Sequence, residues 1–233
     1  MRSKYERLAG SLRYTLVLGF LFLLGCPSGN VYVPPVTLGP SDYSSYRNSP
    51  SYGGGSHQWG ARPNRPAAYG DPAVWIPKVR SERRWKGIIV HHSLTQEGSA
   101  AIFDRFHRVE KKWENGLGYH FVINNGVGKG RADGLVEVGN RWRRQIQGAH
   151  TRDTRACCNE YNERHIGICL TGKFDQSRPT AAQYASLAKL ISFLQNRYGI
   201  PNSQIKGHNA FSPKSCPGTY FSFRELHNRL ARL

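Results

Sequence analysis

Three side chains of this 233-residue chain have the chemistry of zinc ligands: His91, at the end of an apolar run, and His208 and Cys216, eight positions apart near the C-terminal end. Imidazole nitrogen and thiolate sulfur are the donors that Zn²⁺ prefers, and three protein ligands leave a fourth position for the water that a hydrolytic site needs. Spacing alone does not make the case. His208 and Cys216 fit no finger pattern, a single histidine more often serves as a surface or hydrogen-bonded residue, and a single cysteine more often as a small core hydrophobe.

If these groups are to meet, the segments around them must build a rigid frame. Trp85 to Val90 is a short apolar run that reads as a buried strand and delivers the His91-His92 pair at its end. Ile102, Phe106, Val109 and Trp113 recur at helical steps and predict one face of a helix. Tyr119 to Ile123 reads as a second strand, running into the turn signal Asn124-Asn125-Gly126. Leu135 to Val138 and Ile166 to Leu170 read as further strands. A capping box of Thr180 and Gln183 opens a helix with Tyr184, Leu187, Ile191 and Leu194 on its apolar side and Gly199 at its end. Ser222 and Glu225 open a last helix with Phe223, Leu226, Leu230 and Leu233 as its buried stripe. Strands interleaved with helices predict an α/β domain with a central mixed β-sheet. No internal repeat is present.

The basic insert from Asn124 to Gln147, with Arg141, Trp142, Arg143 and Arg144, reads as a solvated surface ribbon. Its alternative is a hairpin over the site that meets anionic material. Lys and Arg outnumber Asp and Glu by 33 to 15, a formal charge of +18 that draws the chain toward anionic polymers or membrane surfaces. No RNA-binding signature or regular basic helix face accompanies that charge, which argues against nucleic acid as the partner.

The N-terminal end reads as targeting. Arg2, Lys4, Arg7 and Arg13 precede an apolar run, Leu16 to Leu24, that is shorter than the roughly 20 residues a bilayer span requires. The run closes on Leu23-Leu24-Gly25-Cys26, which resembles a bacterial lipobox, so residues 1–25 are expected to be a lipoprotein signal peptide and Cys26 the lipidated residue. Residues 26–72, rich in Pro, Gly, Ser and Tyr without periodicity, are expected to be a flexible tether, leaving 73–233 as the folded domain. The expected location follows: across the inner membrane, lipid-anchored, facing the periplasm or the cell surface.

Five stretches between residues 88 and 218, IIVHHSLT, GYHFVI, GAHT, YNERHIGICLTGKF and GHNAFSPKSCPG, stand in an order that resembles the peptidoglycan recognition protein and phage-type N-acetylmuramoyl-L-alanine amidase family. The resemblance implies a mixed sheet flanked by helices with Zn²⁺ at the floor of an open groove. It implies hydrolysis of the amide between the muramic acid lactyl group and L-alanine of peptidoglycan stem peptides. Position by position, it makes His91, His208 and Cys216 the zinc ligands, leaving His92 with another role or none. Tyr119 matches the tyrosine that orients or activates the attacking water, and Lys214 the lysine that stabilises the charged intermediate. His150 and Asn162 match groove residues that contact substrate.

The rival reading is a non-catalytic peptidoglycan-binding module of the same fold, in which the cysteine ligand is replaced; here Cys216 is present. No glutamate stands where another branch of amidases places its base. Asn209 follows His208 where arginine is common in the family. Peptidoglycan or muropeptides are the expected partners, together with a membrane through the lipidated N-terminus, and a monomer is the expected state. Cys169 reads as a core residue. Cys157 and Cys158 are adjacent and would pair with each other only under strain, so the pairing of these three thiols stays open.

Overall fold

A computed structural model of the chain describes residues 71–128, 131–152 and 159–233. Cys26, the proposed signal peptide, nearly all of the proposed tether, and Cys157 and Cys158 lie outside the described residues. Among the described residues no helix is long and apolar enough to cross a membrane.

Five strands form one sheet: β1 (Gly87–His92), β2 (Phe121–Asn125), β3 (Asp133–Val138), β4 (His165–Leu170) and β5 (Ile205–Gly207), in the order β3-β2-β4-β1-β5. β1 runs parallel to β4 and β5, β2 runs parallel to β4, and β3 is antiparallel to β2. The sheet is therefore mixed, as the alternation of strand and helix patterns predicts. β1 and β4 are buried along their whole length, which is why both read as continuous apolar runs rather than alternating ones.

The helices are α1 (Ala100–Val109), the short α2 (Asn140–Arg143) and α3 (Glu160–Arg164), the long α4 (Ala181–Tyr198) and α5 (Phe223–Leu230). The predicted start of α4 is present in full. Thr180 Oγ1 accepts from Gln183 N at 3.0 Å, and Gln183 Oε1 accepts from Thr180 N at 3.1 Å. Gln183 also ties the helix to the sheet, donating through Nε2 to the carbonyls of Ile123 and Thr171. At the other end Gly199 takes the left-handed conformation, φ 67°, that ends a helix without a Cβ penalty. Tyr184, Leu187, Leu190, Ile191 and Leu194 join Ile88, Val90, Ile166, Ile168 and Leu170 in the main core.

Four expectations need correction. α1 buries Phe103 rather than the expected stripe: Ile102 and Phe106 are half-buried, Val109 is 45% exposed, and Trp113 lies beyond the helix, stacked on His107. The cause is the target, because α1 covers only a small cluster of Leu117, Val122 and Cys169, which Phe103 fills with Ala100 and Ile102 at its edge. On α5 only Leu226 is buried, and Leu233 falls past the helix end at 65% exposure. The basic insert is a ribbon in solvent only in part, with Arg143 and Arg144 exposed. It supplies β3 and α2, whose Trp142 is fully buried and donates Nε1–H to the Trp75 carbonyl, while buried Arg141 donates to the carbonyls of Leu117 and Gln147. Finally, the sequence patterns give no strand next to His208, yet it directly follows β5, three residues too short to carry a periodicity.

Candidate metal centre

Adjacent residues on a strand point to opposite faces of the sheet, and that decides between the paired histidines. His92 goes with Ile88 and Val90 toward the α4 side, where its Nδ1 accepts from Phe174 N at 3.2 Å and its ring lies 5.9 Å from the Phe174 ring. His91 points the other way. Its register partner on β4 is Cys169, a buried free thiol. On its other side β5 ends at Gly207, paired with Val90, so His208 emerges next to His91 with ring centroids 4.7 Å apart.

Cys216 is brought back to the same place by a loop closed on itself. Asn209 N donates to the Cys216 carbonyl at 2.7 Å, linking the two ligand segments through backbone rather than through the side chain at position 209. Asp175 clamps the loop from outside, accepting from Ser215 Oγ at 2.7 Å and from Thr219 N at 2.9 Å. Gly207 leaves room for this closure, since a Cβ there would lie 2.7 Å from Pro217 Cδ. Sequence reasoning passed over Asp175; it stands 40 positions from its partner Ser215 and no local pattern marks it.

The result is a cluster in which His91, His208 and Cys216 each offer a ligand atom, all within 4.8 Å of one another. Cys216 Sγ lies 3.7 Å from His91 Nδ1. Two ligands on one tetrahedral zinc with bonds near 2.0 to 2.3 Å stand about 3.6 Å apart, so this separation suits a shared ion. Sγ also accepts from His92 N at 3.4 Å, a contact that favours thiolate. In the metal-free protein burial pushes the Cys216 thiol up to about 12, and burial together with the Lys214 charge pushes His208 down to about 4. Burial also holds His91 well below the usual imidazole range, with the charges of His208 and His150 next in effect. Two neutral imidazoles beside a thiol that ionises only with a strong positive partner are donors that fit a zinc ion.

Around this cluster the other predicted residues divide. Tyr119, half-buried just before β2, has its ring 5.2 Å from that of His91, and burial raises its hydroxyl pKa well above the usual value, so it is a donor at all working pH. Lys214 is exposed on the loop between His208 and Cys216. His150 and Asn162 are both buried. His150 Nδ1 lies 3.1 Å from His91 Nε2, and Asn162 Oδ1 accepts from the backbone N–H of both His150 and Thr151. His120, next to Tyr119, is fully buried and pins β2 to β4 by accepting from Gly167 N at 2.9 Å. A cavity of about 490 Å³ lined by Trp85, Tyr161, His165 and Gln204 opens at the N-terminal ends of β1 and β4 and contains none of the ligand residues.

The model of the N-acetylmuramoyl-L-alanine amidase family matches residues 81–219, from just before β1 to just past Cys216. The chain belongs to that family. Among solved structures, this amidase-family chain is similar to the N-acetylmuramoyl-L-alanine amidase LysC from Clostridium intestinale, with 28% identity and a TM-score of 0.53 over 64% of this chain and 87% of that one. Among curated proteins, peptidoglycan-recognition protein LB of Drosophila melanogaster is 26% identical over 171 residues, 69% of this chain. Peptidoglycan-recognition protein SC2 of the same organism is 29% identical over 115 residues, 49% of this chain. The chain spans about three fifths of the length of the first of these relatives and about half of the second.

Proposed function

We propose that this amidase-family protein is a zinc-dependent N-acetylmuramoyl-L-alanine amidase acting on peptidoglycan or its muropeptides. The observation that carries the proposal is the convergence of His91, His208 and Cys216, from two parallel strands and a clamped loop, to donor atoms within 4.8 Å of one another. The chemistry a bound Zn²⁺ supplies at such a site is Lewis-acid polarisation of an amide carbonyl and a hydrolytic nucleophile near neutral pH. The protein's own residues account for the rest. Tyr119, kept protonated by burial, donates a hydrogen bond to the attacking water or passes a proton to the leaving amine of L-alanine. Lys214 brings a positive charge to the oxygen that becomes anionic as the carbonyl is attacked. His208 is half-buried and Lys214 exposed, so substrate reaches the cluster from their side.

A recognition module of the same fold is the competing reading, supported by the similarity to two recognition proteins. The two separate in one experiment. The full chain is incubated with defined muropeptides, with Zn²⁺ and then with a chelator, and the products are followed by mass spectrometry. Free stem peptide that disappears with the chelator supports the amidase; binding to the wall without product supports the module. Secretion and anchoring through a lipid on Cys26 are proposed from the N-terminal sequence, and a Cys26→Ala protein that stays with the membrane fraction contradicts them.

A further inference from the structure

His150 is buried, and each of its ring nitrogens faces a partner within the fold. Its ring lies in a slot between two glycines: a Cβ at Gly148 or at Gly167 would come within 2.3 Å of His150 Cδ2. Its backbone is held as firmly. Asn162 Oδ1 accepts from His150 N at 2.8 Å and Thr151 N at 3.0 Å, and Asn162 Nδ2 donates to the Thr151 carbonyl and to Asn159 Oδ1. What remains is the ring. His150 Nε2 faces the His165 carbonyl at 3.2 Å, and Nδ1 faces His91 Nε2 at 3.1 Å and the Thr151 hydroxyl at 3.0 Å.

A carbonyl oxygen can only accept, so His150 Nε2 must carry the hydrogen. In a neutral ring Nδ1 is then a lone pair, and it accepts from His91 Nε2–H, with the Thr151 hydroxyl as a second donor to the same atom. His91, protonated on Nε2, has its own lone pair on Nδ1, the nitrogen 3.7 Å from Cys216 Sγ. The opposite polarity sets two lone pairs against each other at His165 and turns an N–H toward the cysteine, where no ligand could form. The chain of hydrogen bonds from the His165 carbonyl inward therefore decides which nitrogen of His91 is free.

We propose that His150 is a positioning residue that fixes the tautomer and ring angle of His91 so that Nδ1 is presented to the metal, with Asn162 and the Gly148 and Gly167 slot fixing His150 in turn. This rests on reading His91, His208 and Cys216 as a metal centre. Partners of this kind, behind a metal-bound imidazole, commonly contribute 10- to 100-fold to metal affinity.

The test pairs two substitutions with a measurement on the unaltered protein. In His150→Gln the side-chain amide reaches the place of Nε2 and leaves no acceptor for His91, whereas in His150→Asn the amide oxygen takes the place of Nδ1. Zinc affinity, measured by chelator competition, is expected to fall roughly 10- to 100-fold in the glutamine variant and to stay within a few-fold of wild type in the asparagine variant. A role in filling space alone predicts the reverse order, since glutamine is the closer match in volume. Independently, ¹⁵N-detected NMR of the metal-free wild-type protein should show both His91 and His150 protonated on Nε2. His91 protonated on Nδ1, or equal or reversed affinities in a wild type that does bind zinc, overturns this inference and leaves the metal centre standing. A wild type that takes up no zinc overturns both.

Discussion

The two faces of the sheet are built on different rules. On the α4 side Ile88, Val90, Ile166, Ile168 and Leu170 meet Leu187, Leu190, Ile191 and Leu194 in a dry core whose members are nearly all fully buried. On the other side the same strands present Cys169, Gly167 and His91, and the neighbouring segments add Tyr119, His150, His208 and Cys216. The first face is held by apolar area, which is non-directional and tolerates changes that keep volume and pattern. The second adds to the small apolar cluster under α1 a set of hydrogen bonds and close approaches with fixed donors, acceptors and missing Cβ atoms, so its polar members answer to particular neighbours. One face makes the fold stable; the other brings His91, His208 and Cys216 together.

That contrast can be broken at several points. The largest effect should come from Cys216→Ser, which is expected to remove zinc and drop hydrolysis to the uncatalysed background while the fold persists. Metal analysis beside a muropeptide assay checks it, and full zinc occupancy in the variant would contradict the ligand assignment. On the dry face Leu190→Ala is expected to lower unfolding free energy by about 3 kcal/mol through the cavity it leaves, with zinc affinity of the folded protein unchanged. Urea titration together with chelator competition separates the two quantities. Lys214→Ala should keep zinc and stability but slow turnover on the order of a hundredfold, about 2.7 kcal/mol of barrier. Loss of zinc in that variant would move the lysine from the reaction to the site's construction.

Acid should attack the imidazole-bearing side first. Burial lowers His120 to about 3 in the folded, metal-free protein, against about 6.5 unfolded. Between those values the unfolded chain binds the extra proton, so stability is intact above pH 6.5 and falls as pH drops toward 3. From this residue alone the loss between pH 7 and pH 5 is about 2 kcal/mol. Thermal unfolding at a series of pH values should show that slope in the wild type and a shallower one in His120→Gln; parallel curves would mean that His120 is not the group that titrates.

The same contrast explains what was legible in the sequence. The dry face announces itself: continuous apolar strands, the Thr180-Gln183 box, and Gly199 at the helix end are local signals, and all are present as expected. The mixed sheet follows from the alternation of strand and helix patterns, whereas the strand order β3-β2-β4-β1-β5, with the three-residue β5 at one edge, has no local signal. The motif order brought out His91, His208 and Cys216, whose donor atoms lie within 4.8 Å of one another, and strand alternation explains why His91 and not His92 joins them. What stayed hidden are pairings between distant segments. Asp175 acts on Ser215 and Thr219, and His150 acts on His91 through space that Gly148 and Gly167 leave open. No local pattern marks Asp175, and the GAHT stretch singles out His150 without showing that its partner is His91. Composition misled in part at the basic insert: Arg143 and Arg144 are exposed as expected, but Arg141 is buried with its guanidinium on two carbonyls, beside a Trp142 indole that meets the Trp75 carbonyl.

The central claim concerns three named ligands around one ion, and X-ray absorption at the zinc edge of the loaded full-length protein tests it directly. The account predicts one sulfur at about 2.3 Å and two imidazole nitrogens at about 2.0 to 2.1 Å, with one further light atom completing a four-coordinate shell. A shell without sulfur, or one made only of oxygen donors, would contradict it.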